Sequence, residues 1–417
     1  MFNQQSPFHL VGTFNPFGLA QADSTGTVIA TGTYNTNYAS WNTLDPTLVI
    51  QAQKTVAMPA QLKASLSTVF QGVKLYVDPL PLLVASSPQA MQGYIAQILV
   101  AVDDLTSSGL KVIVDFEVQP SPSTIAGWGS SDIIDGPTGP KFTALIAAGV
   151  AMVTALLPYG DNVAFELYGS PGPSSLFVSP VNPWPTQLLA YWTAVRAAAP
   201  NMTLIVSAAD AGLPATLIST INPQLFDLKT AFAFQLFIPE VFAQQNTLLW
   251  GNYYYVHGLP FPPNLNTDSI SVETSKMISA AGQANDLLTE DQRAALIAQI
   301  STDIKSYFNV PEDNTWIAAQ FAQVSAWAAS KNGLPAYNLF LSQWGSPGNV
   351  TLPGSPQTVG ADDQSRTNYI KAVRAAASAI GISTSCHILS DPTGGYSLTD
   401  SNQEFIPELI WAFGGSV

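Results

Sequence analysis

Eight short apolar, β-branched runs punctuate this chain, and segments of helical period fall between them. The runs cover residues 9–14, 73–77, 111–116, 163–167, 203–206, 231–237, 338–341 and 382–388. Helical period covers 59–70, 90–105, 142–157, 187–198, 290–307, 312–330 and 364–380. Gly109, Gly333 and Gly381 stand where the left-handed residue that ends a helix belongs. Glu290 and Asp291 open their helix, where its positive end favours carboxylates. Strands joined through helices run parallel and are covered on both faces. Eight such units predict an α/β chain folded as a (β/α)8 TIM barrel. An open doubly wound sheet is the competitor, but neither GxGxxG nor a P-loop follows any run. The rhythm breaks after the sixth run, where Tyr253, Tyr254 and Tyr255 precede a turn-rich segment from Gly258 to Asn264. That stretch, about 243–289, reads as a loop insertion over the barrel's C-terminal face. With no internal repeat and no low-complexity linker, residues 1–417 read as a single domain.

Composition narrows the function classes. Lys plus Arg is 14 and Asp plus Glu is 28, a net charge of 14 − 28 = −14. This balance argues against nucleic acid or an anionic membrane surface as a partner. Hydrophobic residues make up 47% of the chain, which supplies a core and excludes disorder. Charged residues are only 10%, against roughly 25% in ordinary domains. A surface solvated by Ser, Thr, Asn and Gln suits an extracellular or assembled particle. Cys386 is the only cysteine, so there is no intramolecular disulfide and no cysteine-rich metal site. His9, His257 and His387 are too widely spaced to suggest a histidine metal site, and no cofactor motif is present. The longest apolar stretch, about 144–157, is broken by Thr154 and falls short of a membrane span, so no membrane insertion is expected. The first seven residues carry neither a basic nor an apolar signal region.

In a barrel, chemistry gathers where strands end at the C-terminal face. The ends read Lys74-Leu75-Tyr76-Val77-Asp78-Pro79, Asp115-Phe116-Glu117, Phe165-Glu166-Leu167-Tyr168-Gly169-Ser170-Pro171, Gln235-Leu236-Phe237-Ile238-Pro239, Ser342-Gln343-Trp344-Gly345 and Ser385-Cys386-His387. This order resembles family-5 glycoside hydrolases, the cellulase-like retaining β-glycosidases. Phe165-Glu166-Leu167 with Pro171, and Trp344-Gly345 after an apolar strand, are the most specific anchors. The approach to strand five, from Ala197 to Val206, resembles the family as well.

The resemblance also implies which functional positions have changed. The family's strand-two arginine falls on Lys74 and its strand-three histidine on Glu117. Its Asn-Glu pair, whose glutamate is the acid/base, falls on Gly169 and Ser170. Its strand-six histidine and tyrosine fall on Gln235 and Phe237, its nucleophile on Gln343, and its strand-eight tryptophan on His387. Retaining hydrolysis requires two carboxyls about 5–5.5 Å apart. Gln343 is a neutral amide and cannot form the glycosyl ester, and the Ser170 hydroxyl holds its proton too tightly to act as the acid. The resemblance therefore implies an inactive barrel with no catalytic residues.

Other carboxylates near that face are Asp78, Asp115, Glu117, Asp210, Glu240 and Asp391. A relocated pair such as Glu117 with Glu240 is the catalytic alternative. The simpler reading gives Glu117 a bond to Lys74 or to loop amides, and has Asp115 and Glu166 orient neighbours. Glycan-stacking candidates are Trp344, Trp128, Trp184, Trp250 and Tyr168, with Glu117 as a polar contact; these rings otherwise staple loops or face a partner subunit. The leading expectation is a pseudo-glycosidase with a structural or glycan-recognition role at a virion or cell surface. Its partners are then a polysaccharide, further copies of itself or structural proteins. The alternatives are a β-glycan hydrolase with relocated carboxylates and a secreted polysaccharide-binding protein.

Overall fold

A computed structural model describes residues 9–13, 29–31, 51–53, 66–77, 79–85, 87–117, 128, 130–172, 184–245, 256, 258–263, 289–309, 312–331, 334, 338–348, 350–351, 358–387, 396–399 and 404–414. Eight strands close into a barrel: β1 (His9–Thr13), β2 (Gly72–Val77), β3 (Lys111–Phe116), β4 (Val163–Glu166), β5 (Thr203–Ser207), β6 (Thr230–Leu236), β7 (Leu339–Trp344) and β8 (Ser383–Cys386). They neighbour one another in chain order, with β1 closing on β8. The pairing is parallel, as between β2 and β3, where Tyr76 lies opposite Asp115, and between β3 and β4, where Asp115 lies opposite Glu166. Every residue of β2, β4, β6, β7 and β8 is buried, as parallel strands covered on both faces require. Ile113, Ala164, Ile205, Ala231, Ala233 and Phe340 form a buried apolar cluster contributed by five strands.

The helices that follow the strands are α1 (Pro88–Ser107), α2 (Pro140–Leu156), α3 (Trp184–Ala198), α4 (Pro214–Thr220), α5 (Glu290–Asn309), α6 (Asn314–Ser330), α7 (Asp363–Ile380) and α8 (Pro407–Ala412). Two of these, α4 and α8, have no counterpart among the helical periods read from sequence. Each is under two turns long, too short to repeat an apolar face. Of the segment 59–70 only Leu66–Val69 is described as helix, and the 243–289 insertion lies mostly outside the described residues. Gly109 and Gly381 have φ of +81° and +74°, the left-handed values expected after α1 and α7; Gly333 lies outside the described residues.

One feature of sequence length needs correction. Helix α2 and the turn after it, Pro140–Asn162, are long and apolar enough to cross a membrane. The helix turns its apolar face inside the protein. Phe142, Leu145, Ala148, Met152, Val153 and Leu156 are all fully buried. Tyr191 of α3 packs edge-on to Phe142, with ring centroids 6.4 Å apart.

The chain divides into two compact units. The first comprises residues 1–235, 324–343 and 381–386, and holds nearly all of the barrel strands. The second comprises residues 236–323, 344–380 and 387–417. Its centre is Tyr369 of α7, whose ring lies 5.4 Å from Phe242, 5.3 Å from Phe261 and 6.3 Å from Trp344. The Tyr369 hydroxyl donates to the carbonyls of Leu236 and Ile238 at 3.0 and 2.9 Å. Arg366, one turn before it, donates to the carbonyls of Ser346 and Ser397.

Ile113 is a fully buried member of the barrel cluster, so shortening it opens a void there. Ile113→Ala is expected to lower stability by about 2–5 kcal/mol and Ile113→Val by about 1 kcal/mol. Urea unfolding reads both, with an unchanged slope marking a loss of packing rather than a changed unfolded state.

Candidate functional site

A buried ion cluster spans three adjacent strands of the first unit. Lys74 on β2 places its ammonium 3.0 Å from Asp115 Oδ2 on β3 and 2.9 Å from Glu166 Oε2 on β4. All three side chains are wholly buried. The register places Asp115 directly opposite Glu166, which delivers both carboxyls to one ammonium. Serines complete the shell. Ser342 on β7 donates to Glu166 at 2.8 Å, Ser207 on β5 donates to Glu166 at 3.1 Å, and Lys74 donates to Ser342 at 2.5 Å. The Lys74 ammonium also lies 5.0 Å from the ring centre of Tyr76.

The cluster continues toward the strand ends. Glu117, just past β3, is partly exposed, and its backbone N–H donates to the Val77 carbonyl at 2.9 Å. Gln343 at the end of β7 donates from Nε2 to Glu117 Oε2 at 3.3 Å. Gln235 on β6 donates from Nε2 to the Gly169 carbonyl at 3.0 Å. Gly169 is required by contact, because a Cβ there would stand 2.4 Å from both Asp115 carboxyl oxygens. Any side chain at 169 would force the Asp115 carboxyl to move. Ser170 follows, partly exposed.

One lysine faces three carboxyls, and the charges settle accordingly. Burial, then repulsion from Glu166, pushes the Asp115 carboxyl well above its ordinary range, against the pull of Lys74. Burial raises Glu117 to about 7, again opposed by Lys74. Burial would lower Lys74, but Asp115, Glu166 and Glu117 outweigh it and hold the ammonium above its ordinary value. Tyr76 is raised well above the usual phenol range by burial and by the nearby Glu117 and Asp115. Burial and mutual repulsion thus push Asp115 and Glu117 upward, while the same carboxyls hold the Lys74 ammonium charged.

The structure brings Lys74, Glu117, Gly169, Ser170, Gln235 and Gln343 to the strand ends of one unit. Phe237 and His387 belong to the second unit, where they pack with Tyr396. The centroid distances are 5.6 Å from Phe237 to His387, 5.7 Å from Phe237 to Tyr396 and 5.3 Å from His387 to Tyr396. Lys74 takes Asp115 and Glu166 as its contact partners, and reaches Glu117 only through its field. Glu240 begins a short helix, Glu240–Ala243, in the second unit. Asp210 accepts a bond from Thr216 at 2.9 Å. Asp78 and Asp391 lie outside the described residues.

The aromatic candidates require correction. Trp344, Trp184 and Tyr168 are fully buried, so their faces cannot stack on a sugar. Trp344 lies against Tyr369 and 5.8 Å from Phe413. Trp184 donates to the Ser207 carbonyl at 2.8 Å and packs 5.3 Å from Tyr168. These rings hold the protein together because their area is spent on its own apolar surface. Trp128 is partly exposed, with the Lys141 ammonium 5.7 Å from its ring centre. Trp250 lies outside the described residues. Sequence reading missed Ser207 and Ser342; their signal is a polar residue at the end of an otherwise apolar strand. Among the described residues, no group of three or more His, Cys, Asp or Glu is placed to hold a metal ion.

Comparison with known proteins agrees on the fold. No family profile and no curated protein sequence matches the chain. Solved structures do. Thermotoga maritima Cel5A in complex with cellobiose superposes with a TM-score of 0.60 and 12% identity over 98% of each chain. Cellulose synthase subunit Z from Clostridioides difficile gives 0.59 and 14% over 98% of this chain and 99% of that one. A hyperthermophilic endo-β-1,4-glucanase in complex with substrate gives 0.55 and 14% over 99% and 97%. The chain thus has a (β/α)8 fold like that of family-5 glycoside hydrolases.

Removing the ammonium alone leaves buried carboxyls uncompensated. Lys74→Met is expected to cost about 3–5 kcal/mol in urea unfolding at neutral pH, with part of the loss recovered on acidification. A carboxyl raised from 4.5 to about 7 by folding stabilises the fold while protonated. Its contribution is present below the unfolded value and is lost as pH rises through neutrality. Melting temperature is therefore expected to fall between pH values on either side of that window, and Glu117→Gln to flatten the fall.

Proposed function

We propose that this chain is a catalytically inactive, glycoside-hydrolase-like barrel whose role is glycan recognition or structural assembly at a virion or cell surface. The observation that carries the reading is the pair of side chains at the ends of β4 and β7. A retaining hydrolase of this fold needs a carboxyl at each place, about 5–5.5 Å apart. On the correspondence that the resemblance implies, Ser170 and Gln343 fall at those places, and Gln343 is engaged as a donor to Glu117. An amide cannot form a glycosyl ester, and a serine hydroxyl does not protonate a leaving group near neutrality. Gly169 cannot be refilled with an asparagine without displacing Asp115.

A polysaccharide partner is supported by the similar structures, one of them bound to cellobiose. With Trp344, Trp184 and Tyr168 buried, recognition draws on the polar groups at the strand ends and on the partly exposed Trp128. A surface or virion setting is supported by a chain with only 10% charged residues. A second reading, hydrolysis by relocated carboxylates, is favoured by Glu117, a partly exposed carboxyl able to give up a proton near pH 7.

Mass spectrometry of β-1,4-glucan, mannan and xylan oligosaccharides after incubation separates the two. The native chain is expected to release no product above the buffer control, with Ser170→Glu plus Gln343→Glu run as the comparison protein. Turnover by the native chain that vanishes in Glu117→Gln would establish the second reading in place of the first.

A further inference from the structure

Gln235 Oε1, a buried acceptor at the strand ends of the first unit, has no hydrogen-bond donor among the described residues, and close by the Asp115 carboxyl shares a hydrogen bond with Glu117. Gln235 is 2% exposed, and its Nε2 is committed to the Gly169 carbonyl. That bond fixes the amide's orientation and leaves Oε1 as an acceptor waiting for a hydroxyl or an N–H. Buried acceptors in native proteins are normally met, by protein, water or ligand.

The charge around them is unbalanced in one direction. Glu117, the part of the cluster open to solvent, is faced by Lys74 and Tyr76 of β2, Asp115 of β3, Glu166 of β4 and Gln343 of β7. The only cation among these is Lys74, and its ammonium already lies against Asp115 and Glu166. A neutral glycan entering here would displace water from Glu117 and supply no compensating charge. A ligand carrying an ammonium would supply it, through a charge-assisted hydrogen bond in a poorly solvated place.

We infer that the mouth of this barrel takes an amino sugar, a pyranose bearing a free ammonium, in preference to a neutral glycan, with Glu117 receiving the ammonium and Gln235 Oε1 a hydroxyl. This rests on the glycan-recognition reading above and narrows it to a ligand class. Two consequences follow from the geometry. The ammonium favours ionised Glu117, so at a pH of about 6, where the sugar amine is already protonated and Glu117 largely so, binding releases a proton. The preference also weakens with salt, because it is an ion pair at a partly exposed carboxyl.

Calorimetry on the full chain tests it, using the β-1,4-linked glucosamine tetramer, its N-acetylated counterpart and cellotetraose. The free-amine form is expected to bind at least about tenfold more tightly than the other two. Its binding heat at a pH of about 6 is expected to depend on the buffer's ionisation enthalpy, which reports the released proton. Glu117→Gln should bring the three ligands to within about twofold of one another, while Gln235→Met should weaken all three alike. Circular dichroism confirms that each variant is folded. Equal affinity for all three ligands would overturn the amino-sugar inference and leave glycan recognition standing. Binding of none would overturn both and leave the assembly role. Product release is read separately by mass spectrometry, and its appearance would overturn inactivity alone.

Discussion

The Lys74 ammonium, enclosed with Asp115 at 3.0 Å and Glu166 at 2.9 Å, sets the conditions that the rest of the strand ends obey. A buried charge that loses its partner costs several kcal/mol, so each member of the cluster constrains what may stand beside it. Glu166 needs further donors, and Ser207 and Ser342 supply them from β5 and β7. Asp115 needs room, and Gly169 supplies it by having no side chain. The Gly169 carbonyl in turn accepts from Gln235. Residues far apart in the sequence are coupled here through a few shared contacts.

The surplus of carboxyls gives the cluster its chemical character. Three acids around one lysine cannot all ionise at neutral pH in a buried place. Asp115 is pushed well above its ordinary range, and Glu117, partly exposed, is raised to about 7. The same imbalance supports two uses of the site. A proton available near neutrality is what a relocated acid would need, and uncompensated negative charge is what a cationic sugar would meet. The amides Gln235 and Gln343 favour the second, since they position hydroxyls and carboxyls without offering a nucleophile.

The aromatic side chains divide differently from the polar ones. Trp344 follows Gln343 directly, yet alternation along β7 turns the two to opposite sides. Gln343 meets Glu117, whereas Trp344 packs with Tyr369 and Phe413. Tyr168 and Trp184 pack on each other in the same way. A tryptophan beside a site residue is thus a weak sign of a sugar platform, because its large apolar area is as readily spent inside the protein as on a ligand.

The barrel was legible because its determinants are local. Alternating β-branched runs and helical periods placed the eight strands to within a few residues, and the glycines after α1 and α7 marked where those helices end. The short helices α4 and α8 escaped because they contain too few residues to show a period. The amino-acid types at the strand ends were also settled by sequence alone: an amide at 343, a hydroxyl at 170, a carboxyl at 117. Tertiary structure decided which of these share a contact. The choice of Asp115 and Glu166 over Glu117 as Lys74's partners follows from strand register, and the burial of Trp344, Trp184 and Tyr168 follows from packing between distant segments. Register and burial depend on residues far apart in the chain, which no local pattern records.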